Sequence, residues 1–109
     1  MNVAEEFMKA RQNWPASELR SEGGNQAIYL PQFHFNSGGQ PVTMDLLLYP
    51  HTHGGSYVTR LFFRGQLTRG PNWASHYICG EAWWAPSWKD VHPNQSFASM
   101  LANHLRAVE

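Results

Sequence analysis

Cysteine is almost missing: Cys79 is the only one in 109 residues. No internal disulfide can form, which fits a reducing compartment, and the expected location is cytoplasmic. Lysine is also scarce, limited to Lys9 and Lys89, and the formal net charge is zero. Without a basic patch there is no electrostatic footprint for nucleic acid or for an anionic membrane surface. Long apolar runs are lacking too. The longest, Leu46-Leu47-Leu48-Tyr49, is strand-sized, far short of the roughly 18–20 residues that cross a bilayer. The first residues, Asn2-Val3-Ala4-Glu5-Glu6, carry no basic segment followed by an apolar one, so no secretory signal is expected. No Gly-rich phosphate loop occurs, so any ATP-driven step belongs to another protein.

Aromatic residues, by contrast, are abundant, with five Trp and six Phe. That composition specifies an ordered core, and the length suits a single domain over residues 1–109. A helix is expected from Asn2 to Asn13: Asn2 can cap it, Glu5 stands three residues on, and Val3, Phe7 and Ala10 share a stripe. Trp14-Pro15 ends it, because the residue before proline is pushed out of helical geometry.

Strand patterns follow at Glu18–Glu22, Ala27–Phe35, Val42–Tyr49 and Tyr57–Phe63. Pro31 marks an edge or a bulge in the second. Val42, Met44, Leu46 and Leu48 face one way with Thr43 and Asp45 the other, and Thr59, Leu61 and Phe63 lie opposite Val58, Arg60 and Phe62. These four segments predict an antiparallel meander. From Gly65 to Ser87 the pattern is irregular, and long irregular segments in compact domains tend to be functional. A closing helix is expected from about Asn94 to Val108, with Phe97, Met100, Leu101, His104, Leu105 and Val108 on its apolar stripe. The fold class is α+β.

Cys79 is the first candidate for chemistry. A lone cysteine is commonly a small buried hydrophobe, but this one lies in the irregular segment beside Gly80. A reactive thiol needs a base or a positive neighbour. Only His76 is local, and in an extended chain it points to the opposite face. His51-Thr52-His53 places two imidazoles on one side of an extended segment, and with His34 they form a candidate Zn, Ni or Fe set. Solvated loop histidines are the plainer reading. His92-Pro93-Asn94 sits just before the closing helix, where Pro and Asn read as helix-start residues.

Gly70-Pro71-Asn72, then Tyr77-Ile78-Cys79-Gly80, then Trp84-Ala85-Pro86-Ser87, follow the meander in order. In this order of elements the chain resembles the ubiquitin-conjugating enzyme family, most closely the minimal prokaryotic members of anti-phage cyclic-oligonucleotide signalling operons. The Tyr49-Pro50 strand end is similar to the family's Tyr-Pro segment. Gly70 stands where the family pattern has His, and the chain ends after one closing helix.

The resemblance implies a fold of N-terminal helix, four-stranded meander, catalytic loop and closing helix. It implies a transferase in which Cys79 carries the C-terminus of a ubiquitin-like protein, or of a cyclic-nucleotide synthase, as a thioester and passes it to an amine. Asn72 would steady the oxyanion. Pro71 would fix the turn, Trp84 and Pro86 would brace the wall beside the thiol, and His76 would support it. The implied partner is that conjugated protein, with or without a separate ATP-dependent activating enzyme, and no cofactor. Two other classes remain: a non-catalytic binding module of the same fold, and a small metal-binding β-rich protein using His34, His51 and His53.

Overall fold

The computed structural model describes residues 2–109. It contains α1 (Val3–Asn13), β1 (Glu18–Glu22), β2 (Asn25–Ser37), β3 (Gln40–Tyr49), β4 (Arg60–Phe63), β5 (Ala74–Ile78), β6 (Glu81–Ala85) and α2 (Phe97–Leu105), which runs into a single 3-10 turn, Arg106–Val108. The six strands form one antiparallel sheet in the order β1-β2-β3-β4-β6-β5. The class is α+β, but the sheet has two more strands than the expected meander. Both lie in the segment expected to be irregular.

Most local signals act as their chemistry dictates. Asn2 Oδ1 accepts from the Glu5 amide at 3.1 Å, and α1 stops at Trp14, whose φ of −129° and ψ of 77° are not helical. Val3, Phe7 and Ala10 all turn into the core. The register of β2 against β3 shifts between Leu30 and Phe33, the bulge that Pro31 announces. The second helix departs from expectation. It begins at Phe97, and its cap is Ser96, whose hydroxyl accepts from the Ser99 amide at 3.1 Å. Asn94 and the residues around it form bends instead. β4 is shorter than the alternation of Tyr57–Phe63 implied, because Tyr57 pairs with His53 in an isolated bridge within a turn.

The sheet has two apolar faces. On the first, Ile28, Leu30, Leu46, Leu48, Leu61 and Phe63 pack under both helices. The second buries Ala27, Leu47, Tyr49 and Phe62, and no helix covers it. Its cover is the β5–β6 hairpin, which contributes Ile78, Trp83 and Ala85. In a flat sheet, β2 and β6 would lie about 14 Å apart and β1 and β6 about 19 Å, at roughly 4.8 Å per strand. Yet the rings of Tyr29 and Trp83 are 6.3 Å apart, and the Cys79 amide donates to Glu22 Oε1 at 2.6 Å. A glutamate side chain spans only a small part of that separation, so the sheet must roll until its ends meet.

β4 and β6 share one bridge pair, Phe63↔Trp84, and the roll turns about it. Charges line the seam. Arg20 Nη1 reaches Glu81 Oε1 at 3.3 Å, Arg64 pairs with Glu81 and with Asp45, and the Tyr29 hydroxyl donates to Asp45 Oδ2 at 2.8 Å. Burial alone would raise the Asp45 pKa, but the Gln32 amide, the Tyr29 hydroxyl and the Arg64 charge together lower it. The Arg64 guanidinium also lies 4.0 Å from the Trp83 ring centre.

On the helical side, Thr59 and His104 make a buried polar pair. Thr59 donates its one hydroxyl proton to the Val91 carbonyl at 2.6 Å, so at 2.9 Å it accepts from His104 Nε2. Burial first, then the Arg60 charge, push His104 down to about 4. His104 thus stays neutral in the fold, whereas unfolded it takes up a proton below about pH 6.5. Its contribution is complete above the unfolded value and is lost as pH falls towards 4.

Two outcomes follow for stability. Trp83→Ala should cost about 3–5 kcal/mol in urea unfolding, whereas Tyr77→Ala, at an exposed site on the same hairpin, should cost under about 0.5 kcal/mol. Between pH 6.5 and 4 the urea midpoint should fall, with His104 responsible for about 3 kcal/mol of the loss. His104→Gln should flatten that part of the profile.

Candidate functional site

β5 and β6 are joined by two residues, Cys79 and Gly80, with φ of 52° and 76°. Positive φ at both central positions defines the hairpin turn whose twist matches that of the flanking strands. Gly80 adopts it freely, but Cys79 does so against the steric preference of an L-residue. Cys79 therefore occupies a strand-reversing position, and its half-buried side chain packs against the cluster around Ile78 and Trp83.

The electrostatics at the tip keep the thiol protonated. Burial raises the Cys79 pKa, the Glu22 and Glu81 carboxylates raise it further, and Arg20 alone opposes them. No imidazole contributes. His76, the local candidate base, sits across from Trp83 in the hairpin register. Its ring meets His53 at 5.3 Å and Phe62 at 5.6 Å, and its Nε2 is buried without a partner. Burial, then the Arg60 charge and His53, lower its pKa.

The other residues of the sequence motif gather at the opposite end of the hairpin. Ala74 pairs with Ala85 there, while Ile78 pairs with Glu81 beside the turn, so about 13 Å of strand separates Asn72 from Cys79 at ~3.3 Å per residue. Asn72 is exposed, with a φ of 48°. The Pro71 carbonyl accepts from the Ser87 amide at 2.8 Å. Pro86 is buried and its carbonyl accepts from Arg60 Nη2 at 3.3 Å, while Trp84 faces the other side of the sheet from Trp83, opposite Ser75. The structure thus ties Pro71 to the Trp84–Ser87 segment and leaves Cys79 apart from both.

Gly70 has a steric reason to be glycine. At φ of 100°, a Cβ there would lie 3.0 Å from Trp73 Nε1 and 3.3 Å from the Ala107 carbonyl oxygen. A histidine does not fit this backbone.

The proposed metal set also disperses. His51 Nε2 donates to the Gln26 carbonyl, His34 Nδ1 faces the Thr43 hydroxyl at 2.6 Å, and His53 Nδ1 accepts from Arg60. Among the described residues no three His, Cys, Asp or Glu side chains stand together as ligands. The reason is geometric: Tyr49, Phe62 and His76 hold the His53 ring on the second sheet face.

Arg60 was not singled out in the sequence and is the least expected member of this region. It is 5 % exposed, lies 3.7 Å from the Tyr57 ring centre, and donates to His53 and to Pro86 rather than to a carboxylate. Burial lowers its pKa. The only sequence signal was a cation directly before the apolar run Leu61-Phe62-Phe63, in a strand buried throughout. No family model, curated protein or solved structure matches this chain.

If Cys79 is a turn residue, Cys79→Asn should fold and gain up to about 1 kcal/mol, since Asn tolerates the left-handed region. A loss above about 2 kcal/mol would show that the side chain matters more than the backbone.

Proposed function

We propose that this chain is a non-catalytic binding module with the layout of a ubiquitin-conjugating domain. The carrying observation is the position of Cys79: a left-handed hairpin turn, with its amide bound to Glu22 and its thiol pKa raised by burial and by the Glu22 and Glu81 charges. Thioester chemistry needs a thiolate, an amide or backbone donor near the oxyanion, and a path for the acyl chain. Glu22 and Glu81 oppose the first. Asn72, at the far end of the hairpin, is out of reach for the second.

The layout itself supports the family relation. An N-terminal helix, an antiparallel run β1-β2-β3-β4, and a closing helix across the first sheet face occur in the implied order. The rolled hairpin takes the place in the chain of the family's catalytic segment.

Acyl transfer through Cys79 is the second reading, favoured by one fact: the thiol is half-exposed at a loop tip rather than sealed in the core. In that reading the tip would receive the C-terminus of a ubiquitin-like protein or a cyclic-nucleotide synthase from an activating enzyme.

Non-reducing electrophoresis of the protein from its host separates the two. The binding-module reading expects no reductant-sensitive conjugate, and slow labelling of Cys79 by a neutral disulfide at pH 7, accelerating only above the usual thiol range. A conjugate that disappears in Cys79→Ala, together with rapid labelling at pH 7, would establish the carrier reading instead.

A further inference from the structure

β2 is thirteen residues long, but its outer neighbour covers less than half of it. β1 pairs with Asn25 to Tyr29 only, while Phe33 to Ser37 pair with β3 on the inner side. Among the described residues, no backbone hydrogen bond from another segment reaches the outer edge between Pro31 and Asn36. The C-terminal residues close only the far end, where Ser37 Oγ donates to the Val108 carbonyl and the Gly38 amide to Glu109. In an antiparallel strand, alternate residues turn their N–H and C=O outwards. This stretch therefore presents unpaired main-chain donors and acceptors.

A cleft opens directly beside that edge. Trp14, Pro15, Ser17, Leu30 and Phe33 line a cavity of about 270 Å³. The rings of Trp14 and Phe33 pack on each other, centroids 5.7 Å apart, as one wall. Ser17 is 3 % exposed, and its hydroxyl has no hydrogen-bond partner. At the rim, Gln32 holds a φ of 50°, strained for a residue with a side chain, and its amide is tied to Asp45. Small-molecule sites typically enclose about 300–1,000 Å³, so this cavity is better matched to one anchoring side chain than to a free-standing ligand.

Charge sets the flank of the occupant. Arg11, in the last turn of α1, donates to the Pro15 carbonyl at 3.1 Å and is paired with no carboxylate among the described residues. A shallow apolar surface made by Phe7, Met8 and Pro15 continues from it, with Met8 71 % exposed.

We infer that this edge and cleft form a docking site for an extended peptide segment of a partner protein, one with a large apolar residue and an acidic residue close to it. The peptide adds a strand along Phe33–Asn36, seats its apolar side chain in the cleft against the Trp14–Phe33 pair, and sets its carboxylate near Arg11. Main-chain pairing supplies affinity and the cleft supplies selectivity. This rests on the binding-module reading above, but it uses none of the residues around Cys79.

The test is an amide-shift titration with a capped heptapeptide of alternating threonine and valine around one central leucine, followed by one aspartate. The expected result is saturable binding with a dissociation constant below about 1 mM, with shifts confined to the Gln32–Asn36 amides and the Trp14 indole N–H. N-methylation of alternate peptide amides should weaken binding at least tenfold, and so should Ala16→Trp, an exposed change that fills the cleft mouth. No shift at excess peptide, or equal binding of the N-methylated peptide, overturns the proposal. So does broadening of the same amides on concentrating the protein alone, which would make a second copy the occupant. The titration should be unchanged in Cys79→Ser, so it and the electrophoretic test of Cys79 fail independently: a failed carrier test leaves this result standing, and a failed titration leaves the role of Cys79 untouched.

Discussion

The fold turns on the burial of Trp83. This indole is 1 % exposed on a strand that strand order alone would place far from β2, and it is the piece that seals the second sheet face. Removing a side chain of this size from water is worth about 2–3 kcal/mol, and it shelters Leu47, Phe62 and Ala27 as well. The ion pairs along the seam are exposed enough for water and salt to screen them. Apolar contact therefore bends the sheet, while Arg20, Glu81, Arg64 and Asp45 determine how far round it comes.

From that roll follows the environment of the hairpin tip. A flat sheet would hold Cys79 out in water at one margin. The rolled one presses it against the end of β1, where Glu22 takes its amide and raises its thiol pKa. The same movement carries the Asn72 end of the hairpin away, towards the base of the Trp84–Ser87 segment. The length of β5, about 13 Å of strand, separates the two residues that the sequence motif would unite. The outer half of β2 stays open because β1 pairs only with Asn25 to Tyr29.

The first half of the chain was legible because its signals are local. Asn2, Trp14-Pro15, Pro31 and the alternation through Val42–Leu48 each act within a turn or two, and each takes the form its chemistry implies. The β5–β6 hairpin was not legible for an equally local reason. Its turn uses Cys-Gly where Asn-Gly or Asp-Gly would advertise a reversal, and its strands, Ala-Ser-His-Tyr-Ile and Glu-Ala-Trp-Trp-Ala, do not alternate apolar with polar. The cap of α2 was misplaced because His92-Pro93-Asn94 and Ser96 both carry start signals, and the hydrogen bond to Ser99 chooses between them. For the candidate site, identities were readable but distances were not. Whether Asn72 and Cys79 meet depends on a hairpin that only tertiary packing reveals, and the burial of Arg60 depends on the turn that lays Tyr57 over it.

The seam has a kinetic side. It joins Arg20 to Glu81 across 61 positions of chain, whereas the β1–β2 and β2–β3 pairings are built from neighbours in sequence. Closing so long a loop carries an entropic cost that adjacent hairpins escape. The early strands can therefore assemble while Leu47, Tyr49 and Phe62 still face water, and the late hairpin must arrive to cover them. A state with the early strands paired and the hairpin undocked would expose that apolar face. Arg64, four positions from Arg60 and just past β4, keeps a cation beside that exposed face until Trp83 settles beneath its guanidinium. The residue that ties the seam is thus also a charge at the rim of the face that the seam closes.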